Sequence, residues 1–272
     1  MKCRLPRLFV LLGVAPIAAS RYGEQFLRDH KQWIADIGTH IASGSRVLVL
    51  DVGANNGWWG KHYTSLLQKT SNASQVSLCM FEPQPRFHKQ LAQIARDTGG
   101  RLMAVAAWTE DTTITIHLLQ SDKSGVAASM SASHADPNRS HRNLTLPAID
   151  FGRFLREEAP KYRTVVLKLD VEGAEYQLLP RLLMTGSLCR VHFLQLEWHL
   201  KYEPEQGKHR LAALAMRHSI DELLRRGCAN DALMSGGEGP RSILHDEAYN
   251  NGIKGGFVHV PGLEILAKRH AP

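Results

Sequence analysis

Residues 46–57, which read RVLVLDVGANNG, decide the fold of this chain. A nearly continuous apolar run ends at Asp51, and two glycines, Gly53 and Gly57, follow it. Such a run is typical of a parallel strand that helices cover on both faces. Glycines directly after it allow the backbone to approach a ligand closely. We therefore predict a buried strand that leads into a ligand-binding turn.

The same alternation of strand and helix continues along the chain. Periodicity predicts helices over residues 22–43, 58–69, 87–95, 175–184 and 207–227. It predicts strands over residues 46–51, 76–82, 101–108, 113–118, 165–170, 191–197 and 257–260. Residues 121–143, rich in Ser, Ala and His, are expected to form a long surface loop or lid. The order of elements predicts an α/β fold with a doubly wound, mostly parallel sheet and helices on both faces.

Length and composition indicate one globular domain, because 272 residues with 43% hydrophobic residues suffice for one core. Lys and Arg number 33 against 26 Asp and Glu, a net charge of +7. Residues 1–20 hold three of these bases and no acid, which leaves 30 bases against 26 acids in residues 21–272. The remaining bases are spread along the chain, so we expect no nucleic-acid partner.

The first 20 residues differ from the rest in composition. Lys2, Arg4 and Arg7 precede an apolar run of about 12 residues, which is short for a bilayer crossing of about 20. This pattern predicts a signal peptide or short N-terminal anchor at 1–20, followed by a single domain at 21–272. The protein would then belong to the secretory pathway or associate with a membrane through this segment alone. A mitochondrial presequence and a docked N-terminal helix of a cytoplasmic protein remain alternatives.

No metal-binding motif is visible in the sequence. The four cysteines lie far apart and the 14 histidines form no H-E-x-x-H pattern, so zinc is not expected. Cys79 lies in an apolar run and is expected to be a buried thiol, while a disulfide among the other three stays open. We expect no metal, with Mg²⁺ on clustered carboxylates as the alternative.

The glycine spacing distinguishes between nucleotide cofactors. A dinucleotide site uses G-x-G-x-x-G, whereas here Gly53 and Gly57 are separated by three residues and preceded by Asp51. An acid at this place repels a diphosphate and suits a positively charged amine and sulfonium. Glu82 follows about 25 residues later at the end of the next strand, where an acid suits the two hydroxyls of a ribose. S-adenosylmethionine combines these groups.

Four stretches resemble the FkbM-type S-adenosylmethionine-dependent methyltransferases: residues 49–57, 81–83, 167–175 and 196–199, within a match over roughly residues 46–199. The third, LKLDVEGAE, is the most specific. The resemblance implies a Rossmann-like, class I methyltransferase fold. It also implies S-adenosylmethionine as cofactor and methyl transfer, generally to oxygen, on small molecules, sugars or lipids.

Residue roles follow from this interpretation. The residues expected to bind the methionine part of the cofactor are Asp51, Gly53, Ala54, Asn55 and Gly57. Glu82 would bind the ribose, and Trp108, with Thr109 and Glu110, would flank the adenine unless Trp108 belongs to the core. His199, Asp170 and Glu172 are the candidate catalytic residues. His199 is the expected base because its ordinary pKa lies near neutrality, and Asp170 is the alternative base or the residue that orients it.

Three further details complete the expected site. Glu175 is expected to be an acid favoured by the helix N-terminus, Lys168 is expected to pair with a carboxylate, and Glu197 is expected in the same crevice. The acceptor would be a small molecule or glycan. An RNA methyltransferase on the same fold, a nicotinamide-dependent oxidoreductase and a non-catalytic binding module remain the alternatives.

Overall fold

The computed structural model describes residues 21–119, 128–129, 141–199, 219–220, 242–245 and 257–259. The helices are α1 (Arg21–His40), α2 (Trp58–Thr70), α3 (Pro85–Thr98), α4 (Phe151–Glu158) and α5 (Glu175–Met184), with short 3-10 helices at Ala159–Lys161 and Ser187–Arg190. The strands are β1 (Arg46–Val52), β2 (Gln75–Phe81), β3 (Arg101–Met103), β4 (Ala106–Trp108), β5 (Thr112–Leu119), β6 (Ala128–Ser129), β7 (His141–Asp150), β8 (Thr164–Leu169), β9 (Phe193–Leu196), β10 (Ser242–His245) and β11 (Phe257–His259).

The main sheet has the strand order β3-β2-β1-β8-β9-β10-β11. Neighbouring strands are parallel except for β11, which pairs with β10 in the antiparallel sense. The chain moves outward from β1 to β3 on one side and from β8 to β10 on the other. This topology confirms the predicted doubly wound, mostly parallel α/β sheet.

Side chains that alternate along β1 build two separate cores. Leu48, Leu50 and Val52 pack with residues of α4 and α5 on one face of the sheet. Val47 and Val49 pack with residues of α1, α2 and α3 on the other face. Because successive strand residues point to opposite faces, both faces of this apolar run are covered, as its composition predicted.

The order of the strands reverses between β1 and β8, which lie side by side at the centre of the sheet. In open α/β sheets ligands bind beyond the carboxyl ends of the strands at such a point. Here those ends are Val52 and Leu169, which are paired in register. The loops that follow them, starting at Gly53 and Asp170, therefore border the expected ligand site.

A second sheet with the order β4-β7-β5-β6 lies between β3 and β8 in the chain. It corrects the prediction of one strand over residues 101–108, because β3 and β4 belong to different sheets. β2 ends at Phe81, which pairs with Met103, so residues beyond Met103 have no further partner in the main sheet. Ala106–Trp108 pair instead with Ala148–Asp150 of β7.

The predicted loop over residues 121–143 also needs correction. Ala128–Ser129 form β6, and β7, a strand that was not predicted, begins at His141 and overlaps the end of the predicted loop. The antiparallel pairing of β5 with β7 extends to Leu119 and His141, which accounts for the earlier start of β7. The remaining residues of this segment lie outside the described residues.

Other predictions can be compared with the described residues. Residues 1–20 lie outside them, as does most of the predicted helix at 207–227, of which residues 219 and 220 are described and helical. Cys79 is a free, buried thiol, as predicted, whereas Cys189 is disulfide-bonded. Among the helices that the structure describes, none combines the length and the apolar character that crossing a bilayer would require.

Candidate functional site

The turn after β1 is hydrogen-bonded to the end of β2, next to the switch point. The amides of Gly53 and Ala54 both donate to the carbonyl oxygen of Phe81, at 3.0 and 2.9 Å. Gly53 has a φ of 80°, and a Cβ at this position would lie 1.7 Å from the carbonyl oxygen of Asp170. Only glycine therefore allows the turn to pass this closely against the end of β8.

Glu82 is held at the end of β2 by two backbone amides. Asn55, whose φ is 49°, donates its amide to Oε2 at 2.8 Å, and Gln84 donates its amide to Oε1 at 2.9 Å. The carboxylate is 3% exposed. Burial raises the pKa of Glu82, although both amides and the Lys168 ammonium favour its charged form. The predicted ribose-binding acid is thus fixed next to the turn after β1.

A cleft opens where these loops meet the second sheet. With its open mouth included, it encloses about 730 Å³ of empty space. One wall is apolar and consists of Ala106, Ala107, Ile114 and Ile116. The lining also includes the acids Glu82, Asp170 and Glu172, and its described residues include no Lys, Arg or His. Gly53 and Asn55 also line the cleft.

Asp51 and Gly57 lie next to the cleft but not in its described lining. Asp51 shares the sheet face of Val47 and Val49, is fully buried and accepts the amide of Gly60 at 2.9 Å. Burial raises the pKa of Asp51, and Lys168 opposes this effect. Gly57 has a φ of 73°, and its Cβ would lie 2.6 Å from the Leu91 side chain. The turn therefore brings Gly53 and Asn55 to the cleft and packs Gly57 against α3.

Trp108 lies at the end of β4, partly buried. It packs against the core of the second sheet and is not in the described lining of the cleft. That core consists of Ala106, Ile114, Ile116, Leu146 and Ala148. The location of Trp108 fits the core alternative, and the predicted contact of Trp108, Thr109 and Glu110 with adenine stays a prediction.

Lys168 connects the two sides of the switch point. Its Nζ lies 2.9 Å from Asp170 Oδ2 and 3.6 Å from Asp51 Oδ1, and it donates to the carbonyl oxygen of Gly53 at 3.0 Å. Burial opposes the charge of Lys168, but the carboxylates of Asp170 and Asp51 raise its pKa above its ordinary value. The predicted pairing of Lys168 with a carboxylate is confirmed for two carboxylates.

His199 lies behind Asp170 and Glu172 and is 1% exposed. Its Nδ1 is 2.9 Å from Glu175 Oε1. Its Nε2 faces three further carboxylate oxygens, which belong to Asp170, Glu172 and Glu197 at 3.6, 3.5 and 3.4 Å. The structure thus brings together all three predicted catalytic residues, and the acid predicted beside them, around one imidazole.

The surroundings of His199 change what its side chain can do. Burial alone would lower the pKa of the imidazole, but Glu175, Glu172 and Asp170 outweigh burial and raise this pKa to about 10. At neutral pH the imidazole of His199 is therefore protonated, as long as no other cation is bound beside it. A protonated imidazole has no lone pair with which to accept a proton, so the base role of His199 requires the neutral ring and stays a prediction.

The contribution of Glu175 was not foreseen. Its Oε1 and Oε2 accept the amides of Val171 and Gly173 at 3.0 and 2.9 Å, and Oε1 also meets His199. The turn that presents these amides depends on positive φ values at Glu172 and Gly173, 52° and 102°. Gly173, two residues before Glu175, was the available signal, since it marks a turn whose amides a following carboxylate can reach. Gln84 also lines the cleft, and no feature of the sequence had indicated it.

The strand order and the cleft at the switch point define a Rossmann-like α/β protein with a candidate ligand site at the carboxyl ends of its strands. A sequence profile described as the Methyltransferase FkbM domain matches residues 51–227, about two thirds of the chain. The chain belongs to this family and is a methyltransferase. The match contains every cleft residue named above as well as Glu175, Glu197 and His199. No curated protein and no solved structure matches the chain.

Proposed function

We propose that this methyltransferase uses S-adenosylmethionine and transfers its methyl group to a hydroxyl of a small molecule, sugar or lipid. The observation that carries the proposal is the charge of the cleft. Glu82, Asp170 and Glu172 line it, and no basic side chain is among its described lining residues. Such a cleft favours a ligand with a sulfonium and an amine and disfavours one with a diphosphate.

The residues at the turn suit the adenosyl part of this cofactor. Glu82 uses one lone pair on each oxygen for an amide, and a carboxylate offers about four such sites, which leaves two for the ribose hydroxyls. Gly53 brings bare backbone to the cleft, and Ile114 and Ile116 supply an apolar surface. When bound, the cofactor supplies an electrophilic methyl group on sulfur.

Methyl transfer requires that the acceptor hydroxyl is positioned against the methyl group and that the hydroxyl proton is removed. The hydroxyl oxygen forms a bond to the methyl carbon as the carbon–sulfur bond breaks, and the bonding electron pair stays on sulfur. The hydroxyl proton then needs an acceptor. We assign it to Asp170 or Glu172, because both line the cleft while His199 is buried behind them. A positioned base accelerates such a step by about 10²–10⁴-fold.

The alternatives make different demands on the cleft. A nicotinamide-dependent oxidoreductase would place a diphosphate beside three carboxylates, which is unfavourable. An RNA methyltransferase would need a basic surface next to the cleft. A non-catalytic binding module would bind the cofactor without turnover. NADH fluorescence, the salt dependence of RNA binding and an acceptor screen by mass spectrometry test these alternatives in turn.

Titration calorimetry with S-adenosylhomocysteine tests the cofactor directly. We expect binding by the wild type and a loss of at least about tenfold in Glu82→Gln, because a hydrogen bond to a charged acceptor contributes about 1.5–3 kcal/mol. Glu157→Gln on the exposed side of α4 is the matched control and is expected to bind like the wild type. Absence of binding, or equal binding by Glu82→Gln, would contradict the proposal.

We further propose that residues 1–20 direct the protein into the secretory pathway, with residues 21–272 as a single methyltransferase domain. The disulfide at Cys189 supports an oxidising compartment. Asn72 is exposed and begins the sequon Asn72-Ala73-Ser74. The chain has two more sequons, Asn138-Arg139-Ser140 and Asn143-Leu144-Thr145. In eukaryotic cells that express the full chain, a glycosidase should therefore shift the wild type on a gel, and also a variant that keeps only the Asn72 sequon. It should not shift that variant once Asn72→Gln or Ser74→Ala is added. No shift in the wild type would contradict this proposal.

A further inference from the structure

The cluster around His199 has the composition and spacing of a metal-ion site. Three of its members, Asp170, Glu172 and His199, each offer a ligand atom, and these atoms all lie within 4.8 Å of one another. Glu197 adds a fourth ligand atom, a carboxylate oxygen at 3.4 Å from His199 Nε2. We propose that these four residues bind a divalent transition-metal ion, with Mn²⁺ as the probe that fits best, at the wall of the cleft.

The distances fit a metal ion at the centre of the cluster. For metal–ligand bonds of about 2.0–2.2 Å, neighbouring ligand atoms of an octahedral site lie about 3 Å apart and opposite ones about 4.2 Å apart. The distances from Nε2 to the oxygens of Asp170, Glu172 and Glu197 are 3.6, 3.5 and 3.4 Å. They lie between these limits, so each of these oxygens is within about 0.6 Å of the spacing between neighbouring ligand atoms.

Glu175 fixes the ring of His199 in the orientation that a metal ligand needs. Its two oxygens already accept the amides of Val171 and Gly173, so its carboxylate faces His199 as an acceptor. The Nδ1 atom must then carry a hydrogen and donate it to Glu175 Oε1 at 2.9 Å. Nε2 consequently points at the three other carboxylates. A carboxylate behind a coordinating histidine is the arrangement found at metal sites throughout proteins.

The charges of the cluster favour an added cation. Four carboxylates, those of Asp170, Glu172, Glu175 and Glu197, surround His199, and the nearby Lys168 is shared between Asp170 and Asp51. The side chains of Glu175 and His199 are 0% and 1% exposed, and those of Glu197 and Glu172 are 12% and 19% exposed. Water therefore screens this excess of negative charge only in part, and a divalent ion would reduce it.

The ligand types select the class of metal. Three carboxylates suit Mg²⁺, Ca²⁺ and Mn²⁺, whereas an imidazole nitrogen suits transition ions. Mn²⁺ satisfies both preferences. Asp170 and Glu172 line the cleft, so the ion would face bound ligands. This consequence rests on the proposed function: a metal-bound hydroxyl loses its proton more easily, which would allow a weak base such as a carboxylate to accept it.

Electron paramagnetic resonance of Mn²⁺ with chelator-treated full-length protein tests the site without any turnover. We expect one bound Mn²⁺ per chain, at least tenfold weaker binding in His199→Gln and Asp170→Asn, and about 10–100-fold weaker binding in Glu175→Gln because it only orients His199. Glu157→Gln is the matched control and should bind Mn²⁺ like the wild type. Circular dichroism confirms that each variant is folded, and a rise in the wild-type melting temperature with Mn²⁺ provides a second measurement.

Two results would overturn the proposal. Binding of neither Mn²⁺ nor Zn²⁺ would mean that a protonated His199 alone occupies the cluster, and binding of Mg²⁺ in preference to both would contradict the transition-metal assignment. S-adenosylhomocysteine is titrated in parallel into the chelator-treated protein. Its binding without a metal site would leave the proposed function intact, so the two proposals fail separately.

Discussion

At the scale of single residues, the end of β1 separates a residue that lines the cleft from one that is buried beside it. Asp51 and Gly53 were expected to act together, yet Asp51 lies on the α2 face and Gly53 lines the cleft. The period of two along β1 puts Asp51 on the face of Val47 and Val49, whereas Gly53 lies beyond the end of the strand in the turn. Glu82 was predictable from its place at a strand end, whereas the bond between Glu175 and His199 depends on a turn that no local pattern encodes.

Gly53 is expected to tolerate no side chain. In Gly53→Ala the new Cβ would lie 1.7 Å from the carbonyl oxygen of Asp170, at a positive φ. We predict a loss of about 2–4 kcal/mol in the free energy of unfolding, measured by urea denaturation. Gly38→Ala in α1 is the control, since its Cβ would meet nothing within 4 Å and it should be neutral or stabilising. Equal stability of both variants would contradict the prediction.

Asp51 is expected to matter more for stability than for cofactor binding. Asp51→Asn keeps an acceptor for Gly60 but removes a carboxylate that faces Lys168. We predict that the free energy of unfolding falls by about 1–3 kcal/mol, and that S-adenosylhomocysteine affinity falls by less than about threefold, or under about 0.7 kcal/mol. A tenfold loss of affinity at unchanged stability would place Asp51 in the binding site after all.

At the scale of elements, agreement between prediction and structure depends on where each strand finds its partner. The runs that form β1, β2 and β8 lie at the centre of the sheet and are apolar on both faces, so their sequence alone identifies them. The residues of β3 and β4 look like one strand because both are apolar. They are separate strands because β2, the partner of β3, ends at Phe81 and because β4 pairs with β7, about 40 residues further along the chain.

The start of α4 offers a local test of one element. Asp150 is its N-cap residue, and Oδ1 accepts the amide of Arg153 at 2.8 Å. We predict that Asp150→Ala lowers the free energy of unfolding by about 1 kcal/mol, as measured by chemical denaturation. Asp150→Ser retains a capping oxygen and should restore most of the loss. If the serine variant is as unstable as the alanine variant, the cap is not the cause.

At the scale of the whole molecule, the acid stability of the fold should depend on a partly buried histidine. His30 lies in an aromatic cluster on the α1 face, with ring centroids 5.4 Å from Tyr63 and 6.5 Å from Trp33. Burial, with a smaller contribution from His62, lowers the pKa of His30 from 6.5 to about 4. The unfolded chain therefore binds a proton more readily than the folded one between these values.

This difference predicts stability that is present above pH 6.5 and is lost as the pH falls toward 4. Between pH 7 and 4.5 the wild type should lose about 2 kcal/mol more unfolding free energy than His30→Gln, which carries no titrating group at this position. Denaturant titrations of both proteins at the two pH values measure the difference. Parallel losses in the two proteins would show that His30 does not titrate between the folded and unfolded states in this range.

The second sheet gives the protein a modular construction. Its core of Ala106, Ile114, Ile116, Leu146 and Ala148 is separate from the two cores of the main sheet. Four residues of this sheet nevertheless form the apolar wall of the cleft. Substitutions at Ala106, Ile114 and Ile116 can thus be absorbed within a small unit, whereas Ala107 packs in a core of the main sheet. If this wall contacts the adenosyl part of the cofactor as proposed, a laboratory that seeks to fit the enzyme to enlarged cofactor analogues can start with these three positions.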